Sequence, residues 1–134
     1  MLAYIVAYVA SAIAFVAADA TWLTLAGPRL YRPIIGPLLS GKVNGGAAVA
    51  FYLIYLAGVV FLAVAPALRS GQWRTAALNG LVLGLVAYGT YDLTNQATLR
   101  LWSTRLTLAD MAWGGAVTAL AAVIGFLAAR KAGG

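Results

Sequence analysis

Four apolar stretches, each about the 20 residues a helix needs to cross the hydrocarbon of a bilayer, fill most of this sequence. They run near Leu2 to Ala26, Gly46 to Ala65, Thr75 to Leu99 and Leu108 to Ala129. Backbone N–H and C=O groups in hydrocarbon must be satisfied inside their own segment, so stretches of this length specify helices. Turn residues punctuate them: Gly27-Pro28 closes the first, Asn44-Gly45-Gly46 opens the second, Pro66 ends it, and Gly133-Gly134 follows the last. The expected fold is all-α, a polytopic four-transmembrane-helix bundle forming one domain over residues 1–134. Composition agrees, since 63% hydrophobic and 9% charged residues are incompatible with a soluble domain, whose charged share is about a quarter. The first stretch has no basic n-region and too long an apolar run for a signal peptide, so it is expected to stay in the mature protein.

The charges exclude several function classes. Nine Lys and Arg against three Asp give a net charge of +6, but the basic residues fall in connections and at the C-terminus. They read as headgroup contacts and topology signals, and no nucleic-acid partner is expected. With no Cys and no His, thiol catalysis, thiolate or imidazole metal sites and His-ligated haem are excluded. No cofactor or metal centre is predicted; a metal could be held only by Asp, backbone and water oxygens, which favours Mg²⁺ or Ca²⁺. Lys42 and Lys131 lie outside the apolar spans, which argues against a buried Schiff-base lysine.

Asp19, Asp92 and Asp110 are the only acidic residues, and each sits in or at the edge of a span. A carboxylate there costs a few kcal/mol near a helix centre, so each is a candidate functional residue. Four spans put both termini on one side. Asp19 lies roughly 25 Å along the first helix, at about 1.5 Å per residue; Asp92 is similarly far along the third span, and Asp110 begins the fourth. All three therefore belong to the leaflet opposite the termini. Basic residues divide almost evenly between the two sides, and the termini are assigned to the cytoplasmic side because basic residues opposite them can partner the aspartates.

Helical spacing predicts which faces meet. Tyr4, Tyr8, Ser11, Phe15, Asp19 and Trp22 share one face of the first span; Tyr88, Asp92, Asn95 and Leu99 share one of the third, beside Tyr91 and Thr94; Asn44, Ala48, Phe51, Tyr52 and Tyr55 form a stripe on the second. The bland reading is polar glue between helices. Ala18-Asp19-Ala20-Thr21-Trp22 and Ala109-Asp110-Met111-Ala112-Trp113 share an A-D-x-x-W pattern, one at a helix end and one at a helix start, as in an inverted repeat. Asp110 can be read instead as a cap of the fourth helix, whereas Asp19 stands near the unfavourable negative end of its helix. Gly80 and Gly84, Ala7 and Ser11, and Gly114-Gly115 are expected to let helices approach closely. Between Gly27 and Ser40, Pro33 and Pro37 break what reads as a short interfacial helix or re-entrant piece, a lid over the acidic end. Its Arg29 and Arg32 are placed to neutralise an aspartate or grip a lipid phosphate.

The run Tyr91-Asp92-Leu93-Thr94-Asn95, then Ala97-Thr98-Leu99, then Asp110-Met111-Ala112-Trp113-Gly114, resembles the signature of a bacterial family of small predicted membrane proteins, domain-of-unknown-function family 2177. The resemblance extends over essentially the whole chain, including the acidic residue late in the first span and the Tyr-Arg segment after it. It implies a four-helix protein of the bacterial inner membrane and supplies no reaction. The setting of some members near lipid-modification genes implies a lipid or isoprenoid substrate.

Three functions compete. The first is a site for an amphipathic lipid-phase molecule, with Asp92, Asp19 and Asp110 as acid and base and with Asn95, Tyr88, Tyr91, Trp22, Trp113, Arg29 and Arg32 binding it. Crowded carboxylates in a pocket of low dielectric would not all ionise, so one can serve as acid and another as base. No nucleophile-base triad, phosphate loop or dinucleotide fingerprint is present, so the sequence does not decide whether the protein is an enzyme. The second is a proton- or cation-coupled carrier, and the third an accessory subunit that docks a partner membrane helix; either is compatible with homo-oligomers.

Overall fold

The computed structural model of this protein describes residues 1–133. Four long helices account for nearly all of them: α1 (Leu2–Leu38), α2 (Gly45–Ser70), α3 (Trp73–Thr98) and α4 (Thr104–Gly133). By length and hydropathy α1, α2 and α4 suffice to cross a membrane. The remaining helix, α3, is as long but carries Arg74, Asn79, Thr90, Asp92, Thr94, Asn95 and Gln96, which lowers its hydropathy.

Three boundaries differ from the sequence expectation, each for a local reason. First, α1 does not close at Gly27-Pro28. It widens into a π turn over Gly27–Tyr31, in which the Arg32 N–H reaches five residues back to the Gly27 carbonyl, and then continues through Arg32–Ile35 and a 3₁₀ turn at Gly36–Leu38. Pro28, Pro33 and Pro37 each fall in the first two positions of these successive pieces, where a missing N–H removes little helical bonding. The expected separate lid is therefore an extension of α1. Its Leu30 and Ile35 are buried with Ala26 and Leu106, so it rests on the start of α4.

Second, α2 runs through Pro66 to Ser70 and ends at Gly71, whose φ of 72° is the left-handed cap that glycine favours. A proline at position 66 orphans the carbonyl of Leu62. A wide turn over Val60–Val64 relaxes the helix there, and Asn79 of α3 donates its Nδ2 to the Leu62 carbonyl at 3.1 Å. The freed acceptor is thus partnered across the bundle, which is how proline is tolerated in helices without water.

Third, α4 begins at Thr104 rather than Leu108. Ser103 initiates it, its Oγ accepting the Leu106 N–H at 3.2 Å and its carbonyl the Thr107 N–H at 3.1 Å. Asp110 then lies in the second turn and caps nothing. At the start of α2 the expected signal holds, with Asn44 Oδ1 accepting the Ala47 N–H at 3.1 Å.

The C-terminal helix α4 is central, packed along α3 on one flank and α1 on the other, while α2 reaches α3 mainly through its wide turn and its last residues. Small residues make this order sterically available. A Cβ on Gly84 would stand 2.2 Å from the Gly114 carbonyl oxygen, so the α3 and α4 backbones touch there. Gly125 makes room for Ser11, which donates its hydroxyl to the Ala121 carbonyl at 2.9 Å. Phe15, Val59, Val64, Val117 and Phe126 fill the core between them. Ile13, Ile54, Phe61, Val86 and Leu108 stay largely exposed, an apolar exterior suited to lipid. Both termini share one end with the α2–α3 turn: Gly133 lies against Ala3, and Arg130 Nη1 donates to the Gly71 carbonyl at 3.1 Å.

Candidate functional site

At the end opposite the termini the three aspartates come together, each at least nine-tenths buried. None forms an ion pair among the described residues; the partners of Asp19 and Asp110 are neutral donors. Asp19 accepts the Tyr52 hydroxyl at 2.7 Å on Oδ2 and the Trp113 indole N–H at 3.2 Å on Oδ1. Asp110 accepts a hydrogen bond from the Tyr31 hydroxyl, which itself accepts the Trp22 N–H at 2.7 Å. The two A-D-x-x-W segments therefore serve each other rather than themselves. The tryptophan after Asp110 binds Asp19, and the tryptophan after Asp19 reaches Asp110 through Tyr31. Trp22 and Trp113 stack between the two, ring centroids 4.8 Å apart and planes within 6° of parallel. Antiparallel packing of α1 on α4 produces this exchange, because it sets the middle of α1 against the first turns of α4.

In front of these carboxylates is a cavity of about 750 Å³ lined by Asp19, Tyr31, Arg32, Phe51, Tyr88 and Asp110, among others. Its remaining wall is mostly apolar, from Leu23, Ile35, Leu39, Val43 and Ala87. The volume is in the range of small-molecule sites. Because the first half of α2 stands off from α3, the cavity lies beside a lateral gap between those helices. Tyr88 enters it over Gly114, where a Cβ would sit 2.1 Å from the ring, and Tyr91 lies half-exposed at its edge, its ring edge-on to Trp102.

Residues 4–127 match the family described as "Predicted membrane protein (DUF2177)". The chain belongs to this family. No curated protein and no solved structure matches it. The matched segment of this DUF2177 protein holds all three aspartates, both tryptophans of the stacked pair and the whole cavity wall.

Of the other residues predicted for the site, Arg32 lines the cavity from an exposed position without pairing to a carboxylate, and Arg29 is exposed and is not part of the wall. The expectation that these arginines neutralise aspartates is not met; tyrosine and tryptophan donors take that place. Asn95 is half-buried and also outside the wall. Sequence reasoning missed Tyr31 as the donor to Asp110 and Tyr52 as the donor to Asp19. The signal available was the Tyr52 stripe and the Tyr-Arg segment of this DUF2177 chain, but neither says which carboxylate a hydroxyl will meet.

Behind the cavity, Asp92 is fully buried against α4 and neither of its carboxylate oxygens has a hydrogen-bond partner. The Gln96 Oε1, one turn along the same face, is likewise buried and unpartnered, while its Nε2 donates to Thr104 Oγ1 at 2.9 Å. Thr107, buried in the α3–α4 interface, takes the Trp102 N–H at 3.0 Å and points its hydroxyl at the Asp92 backbone carbonyl, 3.5 Å away. The arrangement offers hydrogen-bond acceptors and negative charge at the head of an aromatic and aliphatic cavity. It contains no nucleophile-base pair.

Proposed function

We propose that this membrane protein binds an amphipathic lipid-phase molecule, a lipid or an isoprenoid-like compound, at the acidic end of a four-span bundle in the bacterial inner membrane. The cavity carries the proposal: a polar end walled by Asp19, Asp110, Tyr31 and Tyr88 continues into an apolar wall of Leu23, Ile35, Leu39, Val43 and Phe51 beside a gap between helices. A ligand that fits presents hydroxyl or amine donors to the carboxylates and lays its chain along the aliphatic wall. Sideways access through the α2–α3 gap would let it arrive from the bilayer.

The polar groups of α3 support its reading as the fourth span. Thr90, Thr94 and Thr98 each bond back to a carbonyl four residues earlier, Asn79 is spent on Leu62, and Asp92 faces α4. Leu78, Val82, Val86 and Leu93 face outward. With four spans both termini lie on one side, which we assign to the cytoplasm, and the aspartates lie in the other leaflet.

Native mass spectrometry of protein released gently from membranes tests the proposal, comparing wild type with Asp19→Asn. A defined lipid or isoprenoid adduct that is lost in the variant is the expected result. The same mixture of bulk phospholipids on both proteins would overturn it. A proton- or cation-coupled carrier is the second reading, favoured by the unpartnered Asp92. Against it, the core toward the termini is lined mainly by Ala7, Val64, Phe126 and Ala129, and its buried Ser11 and Thr118 are bonded to the Ala121 carbonyl and to Tyr55.

A further inference from the structure

Every buried side-chain polar atom without a partner among the described residues is an acceptor oxygen: Asp92 Oδ1, Asp92 Oδ2 and Gln96 Oε1. They lie at positions i and i+4 of one face of α3, where side chains are neighbours. Across the interface Thr107 of α4 meets the Asp92 backbone carbonyl at 3.5 Å, and Asp110 stands one turn further along the same face of α4, where it brings another set of acceptors. Tyr31 occupies only Oδ1 of Asp110, which also borders the cavity. An uncompensated charge or an unpartnered acceptor in such a place is costly, and native structures rarely leave one.

The orphaned atoms distinguish between the groups able to complete them. A single proton shared by the two carboxyls would partner one Asp92 oxygen and leave the other, and Gln96 Oε1, without a donor. A lysine or arginine would suffice, but Arg29, Arg32, Lys42, Arg100 and Arg105 at this end of the bundle are all exposed and none pairs with an aspartate. A hard cation takes carboxylate and amide oxygens together at short range. A divalent ion between two carboxylates also lets both ionise, where crowding alone would keep one of them protonated.

We infer that Asp92, Gln96 and Asp110 form a binding site for a hard divalent cation, Mg²⁺ or Ca²⁺, between α3 and α4. No group of three or more His, Cys, Asp or Glu side chains suited to a metal exists among the described residues, so water or the polar head of a molecule in the adjoining cavity completes the coordination. The Gln96 amide is aimed by its hydrogen bond to Thr104, at the exposed start of α4, which places the site within reach of the aqueous end. Asp110 touches both the cation site and the cavity, so the cation is positioned to meet the head of a bound molecule. The site does not require that molecule to be present.

Thermal unfolding of delipidated protein in detergent, followed by tryptophan emission at constant ionic strength after chelator treatment, tests this with MgCl₂, CaCl₂ and NaCl. A saturable rise in Tm of about 5 °C or more with one of the divalent salts, absent with NaCl, is expected, as for a ligand well above its Kd. Asp92→Asn should abolish the rise. Should that variant fail to fold, Gln96→Leu, at a half-buried position, should move the midpoint of the titration at least several-fold higher. Elemental analysis of the loaded, gel-filtered wild type should find one equivalent of metal. No rise with either divalent salt, a rise with NaCl alone, or an undiminished rise in Asp92→Asn would overturn the inference. Because the protein is lipid-free, these outcomes stand apart from whether a lipid adduct is found on the native protein.

Discussion

Tyr31 carries more of the acidic end than any other neutral side chain, since its hydroxyl donates to Asp110 and accepts from Trp22. Replacing it with Phe leaves both neighbours short of a partner in a half-buried place. Tyr31→Phe is therefore expected to destabilise the protein by about 1–3 kcal/mol and to change tryptophan emission, read by unfolding in detergent. Glycines make a sharper contrast. A Cβ at Gly84 meets the Gly114 carbonyl oxygen at 2.2 Å, whereas one at Gly58 meets nothing within 4 Å. Gly84→Ala should cost about 1–3 kcal/mol or more by forcing α3 off α4. Gly58→Ala should be neutral or stabilise α2 by up to about 1 kcal/mol, because alanine is the better helix former. Equal effects in the two variants would contradict the backbone contact at Gly84.

Individual helices show how local rules yield to packing. Pro66 reads as a terminator, and in isolation it would be one. Here α2 passes through it because Asn79 of α3 partners the Leu62 carbonyl that the proline strands. The two positions should be coupled. Asn79→Ala alone leaves that carbonyl unpartnered, while in the double variant with Pro66→Ala the alanine N–H at position 66 can reach it. A double-mutant cycle is expected to give a coupling of roughly 0.5–2 kcal/mol, with the double variant more stable than the two single effects add up to. Strict additivity would mean that the Asn79 bond does not compensate the proline. The same logic explains α1, where three prolines in succession at the openings of short helical pieces bend the helix onto α4 instead of ending it.

For the whole molecule, α4 is the axis on which α1 and α3 pack, and the acidic groups gather where the middle of α1, the end of α3 and the start of α4 converge. The proposed four-span topology has a direct check, because the chain has no native cysteine. Single cysteines at Gln72 and Lys131 should react with an impermeant maleimide from one face of the membrane, and a cysteine at Ser40 from the other. Labelling of all three from one side would refute an odd-even crossing of four spans.

Sequence alone determined what depends on composition and period. Long apolar stretches with too few charges for a soluble domain become helices because hydrocarbon leaves the backbone no other partner. Counting along those helices brought Asp19, Asp92 and Asp110 to one end, and the small residues of α3 and α4 marked where backbones meet. Tertiary structure decided which groups touch. Helix period says that Asp19 and Trp22 share a face, but it cannot say that Trp22 serves Tyr31 and Asp110 while Trp113 serves Asp19, because those bonds depend on how far α1 and α4 are rotated and slid against each other. Nor could it show Asp110 inside a helix rather than capping one, Arg29 and Arg32 left exposed and unpaired with the aspartates, or Asp92 with two oxygens and no donor. The bonds that join different helices link residues 15 to 94 positions apart, and such contacts exist only once the helices have packed.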